Sequence, residues 1–255
     1  NMEIIKNERK EFWGLLIKLA MPIAFQHLLI NSLTFVDTLF MSQLGDIALS
    51  ASGMASQWNW LMSMISFGLC SGSALFIAQY WGAKDEKGIN RTLGISAFFM
   101  LIVALIFGAV AIMNPAFILR IYTDKEAIIQ MGIPYLRIIG FAAPFVVLVM
   151  ILNFFLRSTE RVKPPLLCSI AGIIVNVTLN WLLIYGRFGL PKMGVAGAAV
   201  GTLCSSLINF ILLLLYILKD QEAVKLRFKE LFGWEEGFFG TYFKSVAIQE
   251  PQQLF

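Results

Sequence analysis

Residues 12–41 read Phe12-Trp13-Gly14-Leu15-Leu16-Ile17-Lys18-Leu19-Ala20-Met21-Pro22-Ile23-Ala24-Phe25-Gln26-His27-Leu28-Leu29-Ile30-Asn31-Ser32-Leu33-Thr34-Phe35-Val36-Asp37-Thr38-Leu39-Phe40-Met41. An apolar run of about 20 residues, rising 1.5 Å per residue, crosses a hydrocarbon core of roughly 30 Å. The stretch is therefore predicted to be a membrane helix. A single carboxylate, Asp37, sits deep in its second half. Placing an aspartate mid-helix costs about 2.5 to 3.5 kcal/mol on insertion scales unless it faces protein or water, and ion or proton handling is the usual compensation. Pro22 removes one backbone hydrogen bond and clashes with the preceding turn, so a helix bend is expected there.

The rest of the chain fits a polytopic helical membrane protein. Of 255 residues, 58% are hydrophobic and 14% charged, well below the roughly 25% charged of soluble domains, and the mean hydropathy is +0.75. The net charge of +4 is dispersed among loops, which argues for topology and against a nucleic-acid partner. Cys70, Cys168 and Cys204 lie in apolar runs without CxxC spacing, so they read as packing residues. Asn1 to Glu11 leads into a full-length apolar helix, so no cleavable signal peptide is expected.

Six segments long enough to span are expected, at roughly 12–41, 51–81, 92–114, 132–157, 165–186 and 194–218, forming an all-α six-transmembrane-helix bundle. With the N-terminus inside, the inner segments carry Lys6, Arg9, Lys10, Lys84, Lys87, Arg91, Arg157, Arg161, Lys163, Lys219, Lys225, Arg227 and Lys229. The outer ones carry only Arg120, Lys125, Arg187 and Lys192. Since Lys and Arg collect on the cytoplasmic side, a cytoplasmic N-terminus is expected, in a bacterial inner (plasma) membrane. Gly68-x-x-x-Gly72 and Gly197-x-x-x-Gly201 are spacings that let helix backbones approach closely.

Three regions are expected. Residues 1–218 form an N-terminal six-helix transmembrane lobe, and 219–233 a cytoplasmic amphipathic connector on the inner membrane surface. Residues 234–255 would begin a seventh helix, the start of a second lobe. A short similarity supports the last point: Phe12-Trp13-Gly14 precedes Lys18 as Phe238-Phe239-Gly240 precedes Lys244, with Pro22 and Pro251 in the helices that follow. Internal repeats of this kind occur in transporters, so the chain reads as the first half of a larger one, with a C-terminal lobe to complete it.

Asp37, Asn176, Asn180 and Thr202 are the candidate cation or proton coupling site. Asn176 and Asn180, at i and i+4, share a helix face. A carboxylate, two amide carbonyls and a hydroxyl are the oxygen ligands that a hard cation such as Na+ takes, and the same cluster can carry a proton. Taken singly, the asparagines could equally be interhelical hydrogen bonds, and Thr202 could bond its own helix. Gln26, Asn31, Gln57, Asn59 and Asn153 are candidates for a substrate path. His27, the only histidine, has no partner to suggest a ligand role.

Several motifs resemble one family. They are Val36-Asp37-Thr38 with Gln43-Leu44-Gly45, Ala78-Gln79-Tyr80-Trp81-Gly82-Ala83, and Leu156-Arg157-Ser158-Thr159 with Lys163-Pro164-Pro165. Asn176-Val177-Thr178-Leu179-Asn180 with Leu183-Ile184-Tyr185-Gly186, and Gly194-Val195-Ala196-Gly197-Ala198-Ala199, follow in order. Together the chain resembles the multidrug and toxic compound extrusion (MATE) transporters. The resemblance implies twelve helices in two six-helix lobes, exporting drug-like organic cations in exchange for Na+ or H+, with no other cofactor. It implies that Asp37 is the coupling-ion residue of the first lobe, assisted by Asn176, Asn180 and Thr202, and that Pro22 marks the first-helix bend. Some family members carry aspartate where this chain has Asn180, which leaves this site with less negative charge.

Competing readings are a lipid-linked oligosaccharide flippase of the same superfamily and a non-transporting membrane fragment. A flippase calls for cations inside the cavity, and spans one, two, five and six carry none well inside. An enzyme is disfavoured by the lack of a metal-ligand cluster or nucleophile-base pair, and no phosphate loop for ATP is present.

Overall fold

The computed structural model describes residues 2–220 and 227–231, and every regular element there is a helix. The elements are α1 (Met2–Ser42), α2 (Asp46–Gly82), α3 (Glu86–Met113), α4 (Pro115–Arg120), α5 (Glu126–Ser158), α6 (Lys163–Tyr185), α7 (Val195–Lys219) and α8 (Phe228–Leu231). Six of them, α1 from Leu16, α2, α3, α5, α6 and α7, are long and apolar enough to cross a membrane.

The helices overrun the apolar segments at their polar ends. α2 begins at Asp46 and α5 at Glu126, each five or six residues before the apolar run. Helical geometry does not need hydropathy, and each of these helices opens on an acidic residue, which suits the positive end of the helix dipole. Asp85 caps α3 by accepting from the Gly88 amide at 3.0 Å. Asn114 caps α4 through the Phe117 amide at 3.3 Å, with Pro115 in the first turn. That short helix was not expected from hydropathy. α1 is continuous through Pro22, so the missing backbone bond does not end it.

The bundle is built around α5, which packs extensively on α2, α3 and α7, while α6 and α7 form the other large interface. The main core joins Met62, Cys70 and Ile77 of α2, Ile89, Leu93 and Met100 of α3, Val147, Ile151 and Phe155 of α5, and Leu213 and Ile217 of α7. All three cysteines are free thiols, and Cys70 is buried in this core. Outside it, Met21, Phe25, Leu28 and Phe35 on α1, with Leu105 and Ile106 on α3 and Phe141 on α5, are exposed. Lipid tails are as apolar as these side chains, so helix association rests on close packing instead.

One close backbone crossing, of α3 with α5, has no Gly-x-x-x-Gly spacing to announce it in the sequence. A Cβ on Gly140 would lie 2.8 Å from the Gly108 carbonyl oxygen, and one on Gly108 2.7 Å from that of Gly140. Backbone cannot step aside as a side chain can. Gly140→Val is expected to cost about 1 to 3 kcal/mol by overpacking, lowering the thermal midpoint in detergent by roughly 2 to 12 °C. Gly53→Ala, which enters open space, is expected to leave the midpoint unchanged or slightly raised.

α1 packs chiefly on α6 and only lightly on α2. This places Asp37 against α6. The part of the expected connector that is described, α8, does not lie free: the Arg227 amide donates to Asn90 Oδ1 at 3.3 Å, and Asn90 Nδ2 donates to Glu230 Oε2 at 3.3 Å. Leu231 packs on the main core beside α3. The remainder of the connector, the repeated Phe-Phe-Gly segment and residues 234–255 lie outside the described residues.

Candidate coupling site between α1, α6 and α7

Asn176 and Asn180 fall one turn apart on the buried face of α6, 2% and 1% exposed. Their side chains lie between α1 and α7. Asn180 Nδ2 donates to Asp37 Oδ1 at 2.7 Å and to Asn176 Oδ1 at 2.9 Å. Asn176 Nδ2 reaches Thr202 Oγ1 at 3.5 Å, and that hydroxyl donates to the Ala198 carbonyl at 3.1 Å. All four residues expected at the coupling site are thus joined in one hydrogen-bonded chain across three helices. The first bond is charge-assisted and is expected to be about twice as strong as the neutral ones.

Two features show why the asparagines sit there. Gly201 on α7 leaves the space that Asn180 occupies: a Cβ at that position would lie 2.1 Å from Asn180 Oδ1. Gly197, one turn earlier, lets α7 approach the α6 backbone at Leu183. The Gly-x-x-x-Gly spacing does allow close packing, and one of its glycines also shapes the site. Asn180 Oδ1 is buried without a hydrogen-bond partner among the described residues. A buried acceptor left unpaired is costly and calls for an explanation.

The site extends inward. Ser205 Oγ and Ser206 Oγ both donate to the Thr202 carbonyl, at 3.0 and 2.8 Å. They line a cavity of about 170 Å3 with Asn153, Ser169, Gly172 and Asn209, roofed by Ile30 and Leu33 of α1. Asn153 Oδ1 and Asn209 Oδ1 are buried there without partners among the described residues. Ser205, Ser206 and Asn209 follow Thr202 at i+3, i+4 and i+7. That one-face period is legible in the sequence.

Of the other candidates for a substrate path, Gln26 is 1% exposed and clamps α1 to the lobe. Its Nε2 donates to Ser169 Oγ at 2.6 Å and Pro165 O at 3.3 Å, while Arg157 donates to its Oε1 at 2.8 Å. Arg157, counted among inner-loop cations from its place in the sequence, is in the last turn of α5 and only partly exposed. Asn59 lies beside the Gly108–Gly140 crossing, whereas Asn31, Gln57 and His27 are exposed. The hydroxyl of Tyr135 on α5 is 3.4 Å from that of Ser56 on α2. At the end of α6, Tyr185 donates to Gln43, just past the end of α1, fastening that end of α1 to α6 a second time.

The MatE family model matches residues 22–182, which include Asp37, Asn176 and Asn180. The probable multidrug resistance protein YoeA of Bacillus subtilis is 30% identical over 166 residues, 65% of this chain and 36% of its own length. The multidrug resistance protein NorM of Vibrio cholerae is 29% identical over 218 residues, 85% of this chain and 47% of its own. A crystal structure of a MATE protein in complex with MaD5 shares the fold with a TM-score of 0.79 at 21% identity, over 91% of this chain and 51% of that one. The chain spans about half the length of the curated relatives it matches. With six membrane-spanning helices among the described residues, arranged as in those structures, and the family's match running through its candidate site, the chain belongs to the MATE family of transporters.

Proposed function

We propose that this lobe carries the coupling site of a secondary antiporter that exports amphipathic organic cations in exchange for Na+ or H+. The observation that carries the reading is Asp37, the one acidic side chain in the span of α1 from Leu16 to Ser42, joined to Asn180 and through it to Asn176 and Thr202. The Asn180 amide nitrogen bridges Asp37 Oδ1 and Asn176 Oδ1, standing where a cation would be shared between those oxygens. Turning the amide by half a circle would present the unpaired Asn180 Oδ1 instead. Asp37, Asn176, Asn180 and the Thr202 hydroxyl would then offer only oxygen donors, the set that a hard monovalent cation prefers. A proton on Asp37 would serve the same exchange without that turn.

The 170 Å3 cavity supports a hydrated path from this cluster toward the end of the lobe where Gln26 and Arg157 meet. Asn153 is its one residue from the expected substrate path. Two-lobed transporters bind substrate where the lobes meet, so export is read as a property of this lobe together with a second six-helix lobe. The distribution of Lys and Arg supports a cytoplasmic N-terminus, and the bacterial relatives support a bacterial inner membrane.

The test is efflux of a fluorescent organic cation from proteoliposomes of the complete transporter under an imposed Na+ or pH gradient. One gradient is expected to drive export and the other not. Export that ignores both gradients would overturn the antiport reading.

A further inference from the structure

A cavity of about 540 Å3 opens at the end of the bundle where α1 enters, α2 and α5 finish, α6 starts and α7 finishes. It falls within the roughly 300 to 1,000 Å3 of small-ligand pockets. Lys18 of α1, Arg161 of the α5–α6 turn and Lys163 of α6 line it, with Glu160 as the one carboxylate in the lining. Trp81 and Tyr216 supply its aromatic wall, and Leu19, Val162 and Pro164 its apolar one. No ion pair engages Lys18 or Lys163 among the described residues. Arg161 is fixed by Asp220 and the Tyr216 hydroxyl. Burial opposes its charge, but those two partners outweigh it and hold the guanidinium above its ordinary value.

This combination is unlike a solvated charged face. The cations come from three separate elements and converge on one concavity, at the depth where tryptophan and tyrosine mark the membrane interface. Basic pockets between helices on the cytoplasmic side suit anionic lipid head groups, and each nearby Lys or Arg adds to the attraction. The apolar wall gives the glycerol backbone and the first acyl carbons somewhere to lie.

We infer that the cavity bounded by Lys18, Arg161, Lys163, Trp81 and Tyr216 binds the phosphodiester head group of an anionic phospholipid. The inference is independent of the coupling site. A lipid bound there would bridge α1 to the α5–α6 turn, at the end where Gln26 already clamps α1.

Native mass spectrometry of the detergent-solubilised chain tests it, with dioleoylphosphatidylglycerol, dioleoylphosphatidylcholine and inorganic phosphate as probes. One phosphatidylglycerol per chain is expected to be retained over phosphatidylcholine, and K18Q/K163Q to lower that retention roughly tenfold to thirtyfold. K84Q/K87Q, which removes the same charge from a neighbouring turn, and K18R/K163R, which keeps it, are expected to retain the lipid as the parent does. Equal retention of phosphatidylcholine, no loss in K18Q/K163Q, an equal loss in K84Q/K87Q or a loss in K18R/K163R would each overturn the proposal. So would displacement of the lipid by millimolar phosphate, which would make the cavity a site for free anions.

Discussion

Asp37→Asn is expected to leave the protein folded and to uncouple export from its gradient. Asparagine has nearly the shape of aspartate, and its Oδ1 can still accept the Asn180 amide that now lies 2.7 Å from Asp37. The charge-assisted bond becomes a neutral one, about half as strong. Loss of fold is not expected, because burying a carboxylate in a membrane span is itself costly and the substitution removes that cost. The consequence falls on the ion. An asparagine offers a cation no charge and cannot exchange a proton, so the free-energy link between ion and substrate disappears. Coupling between two sites ordinarily amounts to about 5- to 150-fold in affinity or occupancy. The ratio of gradient-driven to gradient-free efflux is therefore expected to fall from that range to about one, with the thermal midpoint within a few degrees of the parent. Efflux that still follows the gradient in this variant would remove Asp37 from the mechanism.

Gly201→Ala is expected to reach nearly the same functional result without touching a polar group. The new methyl would lie 2.1 Å from Asn180 Oδ1 and 3.1 Å from its Cγ, with the Asn176 carbonyl at 3.3 Å behind it. Separations below 3.0 Å do not persist, so either the amide swings away from Asp37 or α6 and α7 move apart. Asn180 is 1% exposed, so either movement disturbs packed neighbours. Overpacking of this kind costs about 1 to 3 kcal/mol, and breaking a hydrogen bond to a charged group adds about 1.5 to 3 kcal/mol. A two-variant comparison separates these effects. Gly201→Ala with Asn180→Ala is expected to recover much of the lost thermal stability, because the clash is gone, yet to stay uncoupled. Recovery of both stability and coupling would show that Asn180 is only a packing residue. Retained coupling in Gly201→Ala alone would show that the Asp37–Asn180 contact is dispensable.

These expectations differ in where they could have been found. Asp37 announces itself in sequence because one carboxylate in an apolar span is a cost that composition alone exposes. The i, i+4 pair Asn176 and Asn180 is nearly as legible, since helical period puts both on one face. Gly201 reads as ordinary helix packing until α6 is laid against it. Arg157 sits next to a turn in the sequence and reads as a loop cation, yet its guanidinium donates to Gln26 of a helix 131 residues away. No local rule reports a partner at that separation. Gln26 was legible as polar, but not as a clamp, for the same reason.

What the sequence determined by itself is the class of molecule and the number of spans. Both follow from transfer free energies that each residue contributes without reference to its neighbours in space. It also determined which polar side chains fall within the spans. Only the tertiary structure decided which of those side chains meet. The crossing of Gly108 with Gly140 that draws α3 onto α5, the fit of Asn180 against Gly201, and the convergence of Lys18, Arg161 and Lys163 on one cavity depend on helices packed face to face. In lipid that packing is governed by shape, and shape complementarity belongs to pairs of surfaces, not to any single stretch of chain.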